Sequence, residues 1–269
     1  MKRTLATLGV TVLVGLDSAH SQEDAASAVS YCRHRTQSSQ LGNLSSGWSL
    51  GAARVELSED RKTLCFDGRI HRDQEMIAFD NLRLNGTFVI RSAGGYAGPA
   101  IEMANILRDK NAVVVLYDYC FSACANYILV ASSQTYVTKN TIVAWHGGVS
   151  PFDCQHLDSG GNFDRHDLLV WREACKVWQL QRDFLRTRGT DEAVAHAPQS
   201  HYTKKMVKLS AQLSGSRHPN VFWMWNPRYY GNRFKTQIIY ESYPESQDEV
   251  DDILRQHFSG SYVRVIYDP

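Results

Sequence analysis

The chain has 269 residues, 43% of them hydrophobic, which is enough apolar material to bury one large core. Its 29 basic and 28 acidic residues nearly cancel and form no basic run, which argues against nucleic acid as a main partner. The one long apolar run, Leu5 to Leu16, is too short to anchor a chain comfortably across a bilayer.

Residues 1–21 read as an export leader. Lys2 and Arg3 form a positive start, Leu5 to Leu16 an apolar stretch, and Ala19-His20-Ser21 a small-x-small cleavage site before Gln22. Cleavage removes Lys2, Arg3 and Asp17, leaving a neutral chain with no stable membrane span expected. A periplasmic or secreted location follows, and such a compartment permits disulfides. The six cysteines are Cys32, Cys65, Cys120, Cys124, Cys154 and Cys175. Cys32 with Cys65, and Cys154 with Cys175, are candidate bridges. Cys120 and Cys124 either line a helix or close a local bridge.

Residues 22–50 are polar and rich in Ser and Gln, and read as a loosely ordered lead-in. A main domain is expected over residues 51–215, and an aromatic-rich extension over 216–269 packed on it. Val55 to Ile70 reads as a hairpin around a Ser-Glu-Asp turn, and Arg72 to Leu82 as a helix. Thr87 to Ser92 is a continuous apolar strand of the buried parallel type. Pro99 to Asp109 is an amphipathic helix with Ile101, Ala104, Ile106 and Leu107 turned inward, and AVVVLYDY (112–119) is the next strand. Thr141 to Trp145 is another. Alternating strand and helix argues for an α/β fold with a mainly parallel sheet. A long helix is expected from Asp164 to Arg188, stopped by Gly189. Thr190 caps a shorter helix, and Tyr202 to Leu213 forms another. A helix over Asp248 to His257 and a strand over Tyr262 to Tyr267 end the chain.

The chemistry concentrates between Phe88 and Gly148. Gly94 and Gly95 follow one strand, Ser122 follows the next and opens an apolar helix, and His146 closes a third. A serine hydroxyl is a weak nucleophile until a base takes its proton. Free amides at a helix start favour developing negative charge, so the Ala123 N–H is a candidate oxyanion donor. Gly94 is the second, because a turn without Cβ lets the backbone approach substrate. Taken singly, a serine at a helix start is an ordinary cap, and a histidine after a strand an ordinary rim residue. No packing argument requires all three features in this order.

These residues resemble the proteolytic subunit of Clp protease, within the Clp/crotonase superfamily, over about residues 64–197. The family's Ser-Pro-Gly-Gly turn is similar to Ser92-Ala93-Gly94-Gly95. Its nucleophile turn is similar to Cys120-Phe121-Ser122-Ala123-Cys124-Ala125, and its His-bearing strand end to Val143-Ala144-Trp145-His146-Gly147. The whole resembles exported bacterial Clp-like proteins with a Cys-x-Ser-Ala-Cys turn more than Clp protease itself. The resemblance implies a Clp/crotonase-like α/β core, Ser122 as nucleophile, His146 as base, a peptide or ester substrate, no cofactor, and the possibility of a homo-oligomer. The family's orienting Asp would fall near Pro198, where no acid stands. A Ser-His dyad, Asp191 or Gln199 are the alternatives. Export argues against an ATP-driven unfoldase partner and against an acyl-CoA substrate.

Two rivals stand beside this reading. One is a binding protein on the same fold with an eroded site. The other is a Ser-Lys dyad with Lys139 as base, as in signal peptide peptidases of the superfamily. Zinc is not expected, because Cys120 and Cys124 lack a second pair. His196 and His201 are poorly spaced for a ligand set, with Pro198 between them, and His156 and His166 flank a Gly-rich loop and read as solvent-exposed. Trp223, Trp225, Tyr229, Tyr230 and Phe234 form either a partner platform or, the favoured reading, a second small core.

Overall fold

The computed structural model describes residues 17–36, 53–146, 148, 154, 165–192, 220–230, 233–258 and 263–268. Its first element corrects the expected loose lead-in over residues 22–36, since Asp17–Thr36 is a helix, α1; the rest of that stretch, 37–50, lies outside the described residues. Ala25, Val29, Cys32 and Thr36 are buried along α1. Their i, i+4, i+7, i+11 spacing is one helical stripe, hidden in the sequence because its members are small. The Cys32–Cys65 disulfide fastens this stripe to the sheet.

The hairpin forms as expected, with β1 (Arg54–Leu57) antiparallel to β2 (Thr63–Asp67). The helix expected over Arg72–Leu82 contracts to one turn, α2 (Ile77–Asp80). Phe79 and Leu82 are buried while Ile77 is 69% exposed, so the segment has too little inward surface to hold a longer helix. Strand β3 (Thr87–Ser92), helix α3 (Ala97–Asp109) and strand β4 (Val113–Phe121) follow. Ile101, Ala104 and Leu107 are buried on α3 as expected, with Ile106 partly so. A π-helical turn (Cys124–Ile128), β5 (Gln134–Val137) and β6 (Ile142–Ala144) come next. The long helix α4 (Arg165–Thr187) ends at Gly189, whose φ of 58° allows the left-handed exit.

The tail contributes β7 (Asn220–Trp225), α5 (Pro227–Tyr230), β8 (Gln237–Tyr240), α6 (Gln247–His257) and β9 (Val263–Asp268). The Ser246 side chain caps α6 by accepting from the Glu249 N–H at 3.2 Å. The helices expected after Thr190 and over Tyr202–Leu213 lie outside the described residues.

The fold is mixed α/β with a mainly parallel central sheet. Strand order is β1-β2-β3-β4-β5-β8, and every pair beyond the first hairpin is parallel. Strand β4 serves two neighbours in turn: Val114–Leu116 pairs with β5, and Tyr119–Phe121 pairs with β6. Between these stretches Asp118 takes a φ of 58°, and the register against β3 slips.

One face of the sheet packs Phe66, Phe88, Ile90 and Leu116 under α3, the π-helical turn and the end of α4. The other face is shared. Helix α1 covers Val89, Val115 and Tyr117, while α6, β7 and β9 cover Tyr119, Phe121 and Ile142. Of the tail aromatics, Trp223 and Trp225 are core, as favoured, with Phe222 buried beside them and Phe234 partly buried. The tail is also more than a layer packed on residues 51–215, because β8 joins the main sheet beside β5. Strand β7 is further locked to the end of β6 by a reciprocal backbone pair, Trp145 N–H to Trp223 C=O at 2.7 Å and the reverse at 2.6 Å.

Candidate functional site

Parallel strands deliver their ends to one edge, and the carboxyl edge of this sheet gathers the expected residues. Ser122 leaves β4 one residue after Phe121, which pairs with Ala144 of β6. The Ser122 N–H donates to the Ala144 carbonyl at 3.0 Å, and the Ser122 carbonyl accepts from the Asn126 N–H at 2.8 Å. His146 leaves β6 two residues after Ala144. Adjacent strands run about 4.8 Å apart, so the backbones carrying Ser122 and His146 emerge as neighbours.

Ser122 has φ of 54°, a left-handed conformation for a residue with a Cβ. Such a placement costs on the order of 1–2 kcal/mol and needs support from its surroundings. The chain then enters a π-helical turn, a form concentrated at functional positions. Ala123 stands at the start of that turn, where its N–H has no acceptor within the helix.

Gly94 presses directly on this bend. A Cβ there would stand 2.4 Å from the Phe121 carbonyl oxygen, 2.6 Å from the Ser122 Cβ and 2.9 Å from the Ala123 nitrogen. With φ of 86° the position favours glycine on conformation as well. Its carbonyl accepts from the Ile70 N–H at 2.9 Å, which braces the turn from β2's side. Its own N–H donates to the Ser92 Oγ at 3.1 Å, so one of the two expected oxyanion donors is engaged within the turn.

His146 is half-buried, with its ring 5.2 Å from that of Phe222 on β7. The tail strand thus forms one wall beside the histidine. Gly148 lies against α4: a Cβ there would stand 2.4 Å from Gln181 Oε1. Gln181 is buried and accepts from the Tyr127 hydroxyl at 2.6 Å. One glutamine thereby touches both the turn after His146 and the helical turn after Ser122, a link that residue spacing alone could not show.

Asp191 is not brought to His146. Its N–H donates to the Arg233 carbonyl at 3.2 Å, and its carboxylate lies 3.3 Å from the Arg233 guanidinium. Arg233 precedes β8, which runs parallel to β5, so Asp191 sits at the amino edge of the sheet, opposite the serine. Gln199 lies outside the described residues, as do His156, His196 and His201. Lys139 is exposed, and its N–H donates to the Glu241 carboxylate at 2.9 Å. The preceding Thr138 bonds the Leu116 carbonyl, which sets this turn well below Ser122 along β4.

The two candidate bridges form, Cys32–Cys65 and Cys154–Cys175, and of the two alternatives for Cys120 and Cys124 the structure has the local bridge. Among the described residues, no group of three His, Cys, Asp or Glu side chains is arranged to hold a metal. The Cys120–Cys124 bridge encloses Ser122 with a sequence separation of 4. Loop-closure entropy alone gives so short a loop about 2 kcal/mol, against about 4 kcal/mol for the 33-residue separation of Cys32–Cys65. The bridge at the serine is the weaker global staple.

A second polar group lies directly beneath. Buried Arg91 on β3 makes two hydrogen bonds to Asp67, at 2.9 and 2.6 Å, and one to Asp118 at 3.0 Å. Arg33 of α1 also pairs with Asp118, and His257 of α6 lies 3.9 Å from it. The Arg91 guanidinium sits 5.5 and 5.9 Å from the ring centroids of Tyr117 and Tyr119. Burial alone would favour neutral Arg91, but the Asp67 hydrogen bonds and neighbouring groups outweigh it and hold the guanidinium charged. Burial pushes the Tyr117 hydroxyl up to about 12. It pulls His257 below its ordinary value, with Arg91 and Arg33 acting the same way and Asp118 opposing. Sequence reasoning missed this group, though a signal existed: Arg91 and Asp118 are lone charges within apolar strands, and buried charges require partners.

No protein-family model matches the chain, and no curated protein matches it either. Among the described residues, no helix is long and apolar enough to cross a membrane.

Proposed function

We propose that the chain is an exported serine hydrolase of Clp/crotonase-like fold, acting on peptide or ester bonds in the periplasm or outside the cell. The observation that carries this reading is the left-handed Ser122 at the carboxyl end of β4, pressed against the Gly94 turn and hydrogen-bonded to the strand that leads to His146. Packing alone has no use for a strained serine there.

In the proposed reaction His146 accepts the Ser122 hydroxyl proton while the oxygen attacks the substrate carbonyl. The Ala123 N–H meets the developing oxyanion, and the Gly94 N–H joins it by leaving Ser92 Oγ. Each such donor is worth about 3 kcal/mol in the transition state. His146 then protonates the leaving group, and water releases the acyl chain by the same steps in reverse.

The test is labelling of the purified chain with a fluorophosphonate, read by peptide mass spectrometry. Labelling is expected at Ser122, absent in Ser122→Ala and at least about 10²-fold slower in His146→Ala. A folded chain that does not label would overturn the hydrolase reading. It would favour a binding protein on the same fold, a reading supported by the Gly94 N–H already held by Ser92.

A further inference from the structure

We infer that the Cys120–Cys124 disulfide is the positioning element of the nucleophile, so that Ser122 takes up its reactive geometry only in the oxidised chain. This rests on the hydrolase reading for its catalytic meaning, although the geometric claim stands apart from it. Four residues of extended chain span about 13 Å, whereas the bridge holds the Cα atoms of Cys120 and Cys124 5.3 Å apart. The three residues between them must therefore reverse direction, and the left-handed residue at the middle of that reversal is Ser122.

Both anchors are rigid. Cys120 is a paired residue of β4, opposite Val143 on β6 and Ser92 on β3, and Cys124 starts the π-helical turn. Both are fully buried in the core under α3, while Phe121 between them points to the other face and stacks on Phe222 and Phe258. The bend is thus clamped from two sides with the serine at its tip.

Forming the bridge joins two thiols into one S–S bond and releases two electrons and two protons to an oxidant, a protein disulfide donor or molecular oxygen. Because both sulfurs are buried, a dithiol does not reach them in the native fold. The bridge is made once, on entry to an oxidising compartment, and is not cycled. A chain still in a reducing compartment would carry a slack, unreactive serine.

The experiment compares the full chain with Cys120→Ala/Cys124→Ala, and with Cys32→Ala/Cys65→Ala as a control. Fluorophosphonate labelling of Ser122 is expected to slow about 10²-fold in the first variant, the scale of an ångström-sized misplacement. The control should keep the wild-type labelling rate while melting earlier. Hydrogen exchange is followed in parallel at the Ser122 and Asn126 amides. Their protection should collapse in the first variant while the amides of β2, β3 and α3 are unchanged. Equal labelling and equal protection in wild type and variant would overturn the inference. So would global unfolding of the first variant, since the bridge would then be a general staple. A wild type that fails to label removes the hydrolase reading, and the exchange comparison still decides whether the bridge sets the bend.

Discussion

Two left-handed residues stand four positions apart, Asp118 within strand β4 and Ser122 just past its end, and they are held by opposite means. At Asp118 the strain is offset by charge, since its carboxylate meets Arg91 and Arg33 and the bulge lets the strand change partners from β5 to β6. At Ser122 no ion pair compensates. The bend is maintained by a covalent bridge, two backbone hydrogen bonds and the press of Gly94. The lower bend serves the architecture of the sheet. The upper one presents a hydroxyl at its edge, and that contrast is why strain at Ser122 points to function while the same strain at Asp118 does not.

The comparison breaks most visibly at Arg91. Arg91→Met leaves Asp67 and Asp118 buried without their shared cation and is expected to cost about 3–5 kcal/mol in urea unfolding. A loss under 1 kcal/mol would mean that the lower bend does not depend on charge. Gly94→Ala comes next, at about 3 kcal/mol, because the new Cβ meets the Phe121 carbonyl and φ is unfavourable. A wild-type midpoint for that variant would show that the two turns are not in contact.

The sharpest contrast is a pair of glycine substitutions with opposite signs. Ser122→Gly relieves the backbone and should stabilise the chain by about 1 kcal/mol while abolishing labelling. Asp118→Gly relieves the same strain but strands Arg91's second partner site, for a net loss of about 2 kcal/mol. Equal signs in thermal unfolding would dissolve the distinction.

The smallest effect is at His257. Its folded pKa lies below the unfolded value, so its contribution is fully present above about pH 6.5 and is lost as pH falls from there through the folded pKa. The melting temperature should decline with acidification more steeply in wild type than in His257→Gln. Parallel slopes would remove His257 from the account.

The legible part of this fold was its parallel layer. Continuous apolar runs such as Thr87–Ser92 and the stripe Ile101, Ala104, Leu107 state their burial directly. Ser122, Gly94 and His146 were legible as a set because strand ends in a parallel sheet share an edge. Helix α1 was not, since Ala25 and Val29 look unremarkable among serines until Cys32 finds Cys65. Asp191 misled because closeness in sequence to the end of α4 says nothing about which edge of the sheet that end reaches. The link from Gly148 through Gln181 to Tyr127 joins elements far apart in the chain, and no local pattern encodes it.

Strand β8 has a consequence for the order in which the molecule can be built. Its partner β5 is made about a hundred residues earlier, and pairings of such separation are slow to form because so much chain must be closed at once. During synthesis β5 waits as an open edge, and Tyr119 and Phe121 wait for the aromatic tail to cover them. Closure of that sheet edge and of the layer over Tyr119 and Phe121 therefore both wait on residues 220–268.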